Sequence, residues 1–82
     1  LEVAQAGTAD GTPVDIWADH LGGNQRWIIA RTADGYWTLS PGFETGKALE
    51  VRGGSNQNGA VIDVSTCTGS DAQKWVLLQV QP

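Results

Sequence analysis

Two side chains with complementary chemistry, Asp15 and Trp17, lie two positions apart in a short alternating stretch. Successive residues of a strand point to opposite faces, so this stretch predicts Val14 and Ile16 inward and Asp15 and Trp17 together outward. A carboxylate accepts hydrogen bonds from hydroxyl groups, and an indole ring offers a flat apolar surface. A tryptophan that faces away from an apolar stripe indicates contact with another molecule.

A second carboxylate, Glu2, raises the alternative of an enzyme, because paired carboxyl groups carry out glycoside hydrolysis. That chemistry needs an enclosed cleft in which burial raises the pKa of one carboxyl group. A chain this small offers little enclosure, so the sequence favours a non-catalytic protein. His20 is the only histidine and Cys67 the only cysteine, and we predict neither a metal nor a cofactor. We expect His20 in a solvated loop, with a contact at the rim of a ligand site as the alternative.

The elements that position these residues follow from an internal repeat. Gln25-Arg26-Trp27 recurs as Gln73-Lys74-Trp75, and 73 minus 25 gives an offset of 48 residues. At that offset residues 1–30 overlie residues 49–78 without a gap, which predicts two copies of one structural unit. The matching pairs include Leu1-Glu2-Val3 with Leu49-Glu50-Val51, Gly11 with Gly59, Asp15 with Asp63, and Ile16 with Val64.

Length and composition favour one small all-β domain. The chain has 82 residues with 11 glycines, and glycine costs about 1 kcal/mol at an interior helical position. Alternating runs between turn signals predict no helix and seven strands: Leu1–Val3, Val14–Trp17, Trp27–Ala30, Tyr36–Leu39, Ala48–Val51, Ala60–Val64 and Trp75–Val80. The second unit, residues 36–80, therefore has four strands, whereas the first unit, residues 1–30, lacks its opening strand.

Charge and hydropathy exclude several classes of partner. Five Lys and Arg stand against nine Asp and Glu, for a net charge of −4, so no basic cluster is present to bind a phosphate backbone. No apolar run approaches the roughly 20 residues that span a bilayer. We therefore predict no nucleic acid partner and no membrane insertion. Because the chain begins with Leu1 and not methionine, we expect a processed or excised piece.

These residues resemble the ricin-B-type lectin repeat, a β-trefoil unit marked by Gln-x-Trp near its end. Both copies carry that motif, and residues 46–51 resemble the family's Ser-Gly-Lys-Cys-Leu-Asp-Val. Residues 8–17 resemble its Ser-Thr-x-Asp-Gly-Thr-x-Val-Gln-x-Trp. The resemblance covers nearly all of residues 1–82. It implies an incomplete β-trefoil with about two of the three repeats, and non-catalytic carbohydrate binding.

The resemblance also implies which residues bind sugar. In the first unit they are Glu2, Asp15, Trp17, Asn24 and Gln25, whose polar groups would bind hydroxyls while the indole covers the C–H face of the sugar. The motif tryptophans, Trp27 and Trp75, are implied as structural. A motif glutamine can also tie the backbone groups of a loop together, and for Gln25 both roles remain open.

In the second unit the same positions are occupied by Glu50, Asp63, Ser65, Ala72 and Gln73. The aromatic platform and the asparagine are absent there. A sugar would keep only polar contacts for which water competes, so we expect the site of Glu50, Asp63 and Gln73 to be weak or inactive.

The resemblance leaves an architectural gap, because a trefoil closes with three four-stranded units and this chain predicts seven strands. We expect the missing repeat from another segment or from self-association. The resemblance implies a secreted module that targets a protein, or an enzyme such as a glycoside hydrolase, to polysaccharide or glycan. The alternative is a structural or protein-interaction trefoil fragment without sugar binding. Galactose, mannose and xylose binders of the family share these positions, so the sugar stays open.

Overall fold

The computed structural model describes residues 1–78, which form six strands and four short 3₁₀ turns. The strands are β1 (Glu2–Val3), β2 (Thr12–Asp15), β3 (Trp27–Arg31), β4 (Trp37–Pro41), β5 (Lys47–Val51) and β6 (Ile62–Thr66). The 3₁₀ turns are Ala4–Ala6, Gly23–Gln25, Arg52–Gly54 and Asp71–Gln73. Within residues 1–78 no α-helix is present, and the prediction of an all-β chain is confirmed.

A four-stranded antiparallel sheet in the order β1-β2-β6-β5 joins the two units. Within the first unit, β1 and β2 pair with Glu2 opposite Asp15. Within the second unit, β5 and β6 pair with Glu50 opposite Asp63, which is the same register shifted by the 48-residue offset. The pairing of β2 with β6 connects the units at the centre of this sheet.

A second, two-stranded sheet consists of β3 and β4. Its register runs from Trp27 opposite Pro41 to Arg31 opposite Trp37, so it also connects the first unit to the second. Trp37 and Trp75 exchange backbone hydrogen bonds of 2.9 and 2.8 Å.

Of the last predicted strand, Trp75–Val80, the described residues 75–78 form only this single bridge at Trp75. Val76–Leu78 belong to no strand, because in residues 1–78 no neighbouring strand is placed to pair with them. Residues 79 and 80 of that prediction lie outside the described residues.

The prediction that Ile16 faces inward is wrong, since Ile16 is 88% exposed whereas its counterpart Val64 is 1% exposed. Val64 lies between two strands, opposite Thr12 on one side and Leu49 on the other. Strand β2 ends at Asp15, so within the described residues Ile16 is paired with no neighbouring strand. An inward-facing side chain is buried only when a neighbouring element covers it.

The buried apolar core is small and lies around the four-stranded sheet. It consists of Val3, Ala48, Leu49 and Val64. On the two-stranded sheet, Ile28 and Ile29 are each 51% exposed. Short chains bury a small share of their surface, and here several large apolar side chains remain uncovered.

Candidate functional site

A pocket of about 290 Å³ opens beside the pairing of β1 with β2, and its lining residues are Glu2, Ala4, Gln5, Asp15 and Trp17. The antiparallel register sets the Glu2 and Asp15 side chains next to each other. Trp17 follows two residues after Asp15 and is 65% exposed. Three of the five residues predicted to bind sugar in the first unit therefore line one pocket.

Asn24 supports Glu2 from behind the pocket. Its Nδ2 donates to Glu2 Oε1 at 2.7 Å and to the Val3 carbonyl oxygen at 3.1 Å. Asn24 is 8% and Glu2 7% exposed, and a buried carboxylate must be hydrogen-bonded to offset its lost hydration. The structure therefore places Asn24 outside the pocket lining, where it positions the carboxylate that lines it.

His20 also contacts this carboxylate, with Nε2 lying 3.1 Å from Glu2 Oε1. Because the carboxylate oxygen accepts, we assign the proton to Nε2. Gly22 makes room for the imidazole, since a Cβ at that position would overlap the His20 ring and lie 2.7 Å from Asn24 Oδ1. His20 thus lies in an exposed loop, as expected, with its side chain 49% exposed, and it also contacts the Glu2 carboxylate that lines the pocket.

The motif glutamines tie a loop to itself in both units. Gln25 Oε1 accepts from the His20 backbone N–H at 2.8 Å, and its Nε2 donates to the Ala18 carbonyl oxygen at 2.8 Å. The second unit repeats both bonds at the 48-residue offset, with Gln73 bound to Thr68 N and Thr66 O. Gln25 therefore uses its amide within the loop, and it does not line the pocket.

Each motif tryptophan donates a hydrogen bond to a leucine carbonyl, at Leu1 just before β1 or at Leu49 within β5. Trp27 Nε1 donates to the Leu1 carbonyl oxygen at 3.3 Å, and Trp75 Nε1 donates to the Leu49 carbonyl oxygen at 3.0 Å. These acceptors are also 48 residues apart in the sequence. An indole that is partly buried and hydrogen-bonded in this way has a structural role.

In the second unit an arginine fills the corresponding place. Arg52 is the counterpart of Ala4, and its Nε donates to Asp63 Oδ2 at 2.9 Å while its Nη2 donates to the Gly11 carbonyl oxygen at 2.7 Å. Asp63 is 1% exposed, whereas its counterpart Asp15 is exposed. The guanidinium thus covers the second carboxylate and at the same time ties the second unit to the first.

Gln73, another residue of the expected second site, is also turned inward. Gln73 is 1% exposed, and its Nε2 donates to Glu50 Oε1 at 3.2 Å as well as to the loop. Burial raises the pKa of the Asp63 carboxyl, the Arg52 hydrogen bond lowers it, and the neighbouring Glu50 raises it further. Asp63 Oδ1 is buried without a hydrogen-bond partner in the described chain. Asp63 and Gln73 therefore do not face a ligand in this arrangement.

Two pocket residues, Ala4 and Gln5, were missed by sequence reasoning. Gln5 has φ 53° and ψ 26°, and the next residue, Ala6, has φ 54°. This left-handed conformation costs about 1–2 kcal/mol for a residue with a Cβ. Their counterparts at the 48-residue offset are Gly53 and Gly54, with φ 64° and 63°. The alignment of Gln5 with a glycine was the available signal.

The pocket does not fit the glycosidase alternative, because Asp15 is exposed and the two carboxyl groups are not enclosed together. Among residues 1–78, no group of three His, Cys, Asp or Glu is arranged to hold a metal ion. In the same residues, no helix is long and apolar enough to cross a membrane.

A repeated β unit pinned by Gln-x-Trp, with carboxylates and an exposed indole around one open pocket, defines a domain of the lectin class. The family model for the ricin-type beta-trefoil lectin domain-like family matches residues 1–64 and 24–82. The chain belongs to this family. At the family level, this membership supports carbohydrate binding by a non-catalytic domain.

Individual proteins of known sequence or structure are similar to the chain. Flavastacin from Elizabethkingia meningoseptica is 32% identical over 80 residues, which are 98% of this chain and 18% of Flavastacin. The chain therefore spans about a fifth of that relative. The crystal structure of a designed 3-fold symmetric protein, ThreeFoil, matches with a TM-score of 0.91 and 34% identity, over 96% of this chain and 56% of ThreeFoil. The β-trefoil prediction is confirmed, and the chain corresponds to an incomplete trefoil.

Proposed function

We propose that the first unit, residues 1–30, binds a saccharide between Glu2, Asp15 and Trp17. The observation that carries this proposal is an open pocket lined by two carboxylates and one exposed indole ring. The domain then acts as a non-catalytic module that targets a secreted protein, or an enzyme such as a glycoside hydrolase, to polysaccharide or glycan.

The polar and aromatic groups of the pocket are complementary to the hydroxyl and C–H groups of a sugar. The carboxylates accept hydrogen bonds from neighbouring hydroxyls, and bonds to charged groups are each worth roughly 1.5–3 kcal/mol. The Trp17 ring face covers the C–H side of the sugar. Asn24 and His20 hold Glu2 in place before the ligand arrives, while Gln25 fixes the loop that carries His20. Such preorganisation lowers the entropy that binding must overcome.

The second unit contributes little to binding under this proposal. Its Asp63 and Gln73 are buried, Arg52 covers Asp63, and Ser65 replaces the aromatic platform. One shallow site gives an affinity in the millimolar to high micromolar range, about −4 to −6 kcal/mol. Linkage to further sites or to a catalytic domain on the same polymer raises the effective affinity.

The proposal is tested by affinity electrophoresis through gels that contain galactan, xylan, mannan or arabinan. We expect one polymer to retard the chain, and Trp17→Ala and Asp15→Ala each to abolish the retardation. Ser65→Ala, at the counterpart of Trp17, is the matched control and keeps it. Near-ultraviolet circular dichroism verifies that each variant is folded. If the chain is folded and none of these polymers retards it, the proposal is overturned.

The uncovered apolar side chains favour a second candidate, assembly with a further unit of the same kind. Ile16, at 88% exposed, corresponds to Val64, which is 1% exposed between Thr12 of the first unit and Leu49 of its own unit. Ile28 and Ile29 on β3 are also half-exposed. We propose that the missing repeat covers Ile16 and one face of β3, since Ile28 and Ile29 point to opposite faces of that strand, and that it is supplied by another segment or by a second copy of the chain. Without saccharide binding, this contact would make the chain a structural or protein-interaction fragment.

Sedimentation velocity over a hundredfold range of concentration tests the assembly. Self-association predicts a larger species at high concentration and a thermal midpoint that rises with concentration. Ile16→Ser removes the exposed isoleucine and should weaken that association, whereas Val61→Ser is the control at a different exposed apolar position. A monomer at every concentration, with an unchanged midpoint, overturns self-association and leaves only the other segment as the source.

A further inference from the structure

We propose that Gln5 is a specificity-determining residue of the first-unit pocket, where its side-chain amide contacts the hydroxyl groups of the saccharide. This inference rests on the proposed function and deepens it, because it names the group that distinguishes one sugar from another. It is carried by three observations: the backbone conformation of Gln5, the position of its side chain, and the hydrogen-bonding capacity of the other lining residues.

The backbone at Gln5 is unfavourable for a residue with a side chain. Its φ of 53° lies in the left-handed region, and its counterpart in the second unit is Gly53 at φ 64°. The two backbones therefore make the same turn, and glycine makes it without steric conflict. Ala6 makes the same left-handed turn but does not line the pocket, so a role for the Gln5 side chain is indicated by this conformation together with its place in the lining.

The side chain of Gln5 lines the pocket and is exposed. Within residues 1–78 its amide makes no hydrogen bond, in contrast to those of Asn24, Gln25 and Gln73, which are all bound to the protein. Within the described residues, the side-chain donors and acceptor of Gln5 are therefore free for a ligand.

The amide supplies what the rest of the lining lacks. The ionised carboxylates of Glu2 and Asp15 only accept hydrogen bonds, the Trp17 indole N–H only donates, and Ala4 has no polar side-chain atom. Gln5 alone among the lining residues both donates and accepts. A group of that kind can bind a pair of neighbouring hydroxyls and detect a change in the orientation of either one. The expected ligand is therefore a pyranoside. Gln5 would distinguish epimers that differ in the orientation of a hydroxyl next to the pair that the carboxylates bind.

The test compares Gln5→Gly with Ala6→Gly. Both variants place glycine at a left-handed position, with φ 53° and 54°, but Ala6 does not line the pocket. Binding is titrated by NMR with the methyl glycosides of galactose, glucose, mannose and xylose. We expect Gln5→Gly to bind the preferred glycoside about fivefold to tenfold more weakly, as for the loss of one hydrogen bond. The affinity ratio between epimers should also shrink, whereas Ala6→Gly keeps both the affinity and the ratio.

Gln5→Asn, which tolerates the left-handed conformation but has a shorter side chain, provides a second variant and should shift the epimer ratio without abolishing binding. The inference is overturned if Trp17→Ala loses binding while Gln5→Gly keeps the wild-type affinity and epimer ratio; the proposed function then stands without it. If the folded wild-type chain binds none of the glycosides and is retarded by no polymer, both the proposed function and the inference fall together.

Discussion

Arg52 Nε lies 2.9 Å from Asp63 Oδ2, whereas the equivalent position beside Asp15 holds the methyl group of Ala4. This one difference accounts for much of the contrast between the two units. The first has an open pocket lined by Asp15, and the second has a buried carboxylate covered by a guanidinium. The same arginine donates to the Gly11 carbonyl oxygen of the first unit, so the side chain that closes the second site also links the two units by a hydrogen bond.

We predict that Arg52→Ala lowers the free energy of unfolding at pH 7 by about 1–3 kcal/mol, because it leaves the buried Asp63 carboxylate without its charged donor. Asp63→Asn in the Arg52→Ala background should recover part of that loss, since the buried group is then neutral. Urea unfolding, followed by tryptophan fluorescence, measures all four corners of this cycle. Arg26→Ala is the control at an exposed arginine, and equal losses for the two arginine variants would contradict the prediction.

The raised pKa of Asp63 predicts a specific dependence of stability on pH. Burial raises the pKa of the Asp63 carboxyl above its ordinary value of 3.8, and although the Arg52 hydrogen bond lowers it, the neighbouring Glu50 raises it as well, so the net shift is upward. The stability contributed by Asp63 is therefore fully present below pH 3.8 and is lost as pH rises through the folded pKa. Asp63→Asn removes this loss, so the thermal midpoint of the variant minus that of the wild type should increase from pH 3 to pH 7. Asp15→Asn is the matched control, and a difference for Asp63→Asn that is flat across this range would show that Asp63 does not titrate as expected.

The two motif glutamines should differ in their effect on stability. Gln73→Ala removes a side chain that is 1% exposed and leaves Thr68 N and Thr66 O without their partner, at a cost of about 2–3 kcal/mol. Gln25→Ala should cost about 1 kcal/mol, because its partners are exposed and water replaces the amide. Denaturant unfolding compares both with Gln57→Ala at an exposed loop position. A Gln25→Ala loss as large as that of Gln73→Ala would mean that burial does not control the difference.

A sugar site can be rebuilt in the second unit if the explanation of its closure is correct. The triple change Arg52→Ala, Ser65→Trp and Ala72→Asn copies the first-unit residues at the 48-residue offset. Introduced into Trp17→Ala, it should restore retardation in the polymer gel that retards the wild-type chain. Ser65→Trp alone, in the same background, should not, because Arg52 still covers Asp63. A folded triple variant without restored binding would show that the lining needs more than these three residues.

The repeat and the β-trefoil family were predictable because they depend on local patterns. Gln-x-Trp, the Asp-Gly turn and the alternating runs recur at one offset, and each reflects a short-range requirement of the backbone. The family resemblance assigned Glu2 and Asp15 to one site, whereas the antiparallel register that sets them opposite each other is given by the structure.

The exposure of Ile16, the contacts of His20 and the closure of the second site were not predictable from local pattern. Ile16 alternates correctly for an inward residue, but no element of the described chain covers it. His20 lies 18 positions from Glu2 in the sequence, and only the folded loop brings the two together. The strand at Trp75 failed to extend for the same kind of reason, because pairing needs a neighbour.

The amino-acid order was thus sufficient for the unit and its offset, because these follow from backbone periodicity and turn chemistry. Of the lining residues, Asp15 and Trp17 followed from strand alternation and Glu2 from the family resemblance, whereas Ala4 and Gln5 were missed. The three-dimensional arrangement decided which copy is open. Arg52, Asp63 and Gly11 come from separate segments of the chain. Whether a long arginine side chain fills a pocket depends on which hydrogen-bond acceptors lie within its reach. Which acceptors come close to the guanidinium depends on how the elements pack against each other, and not on their spacing along the chain.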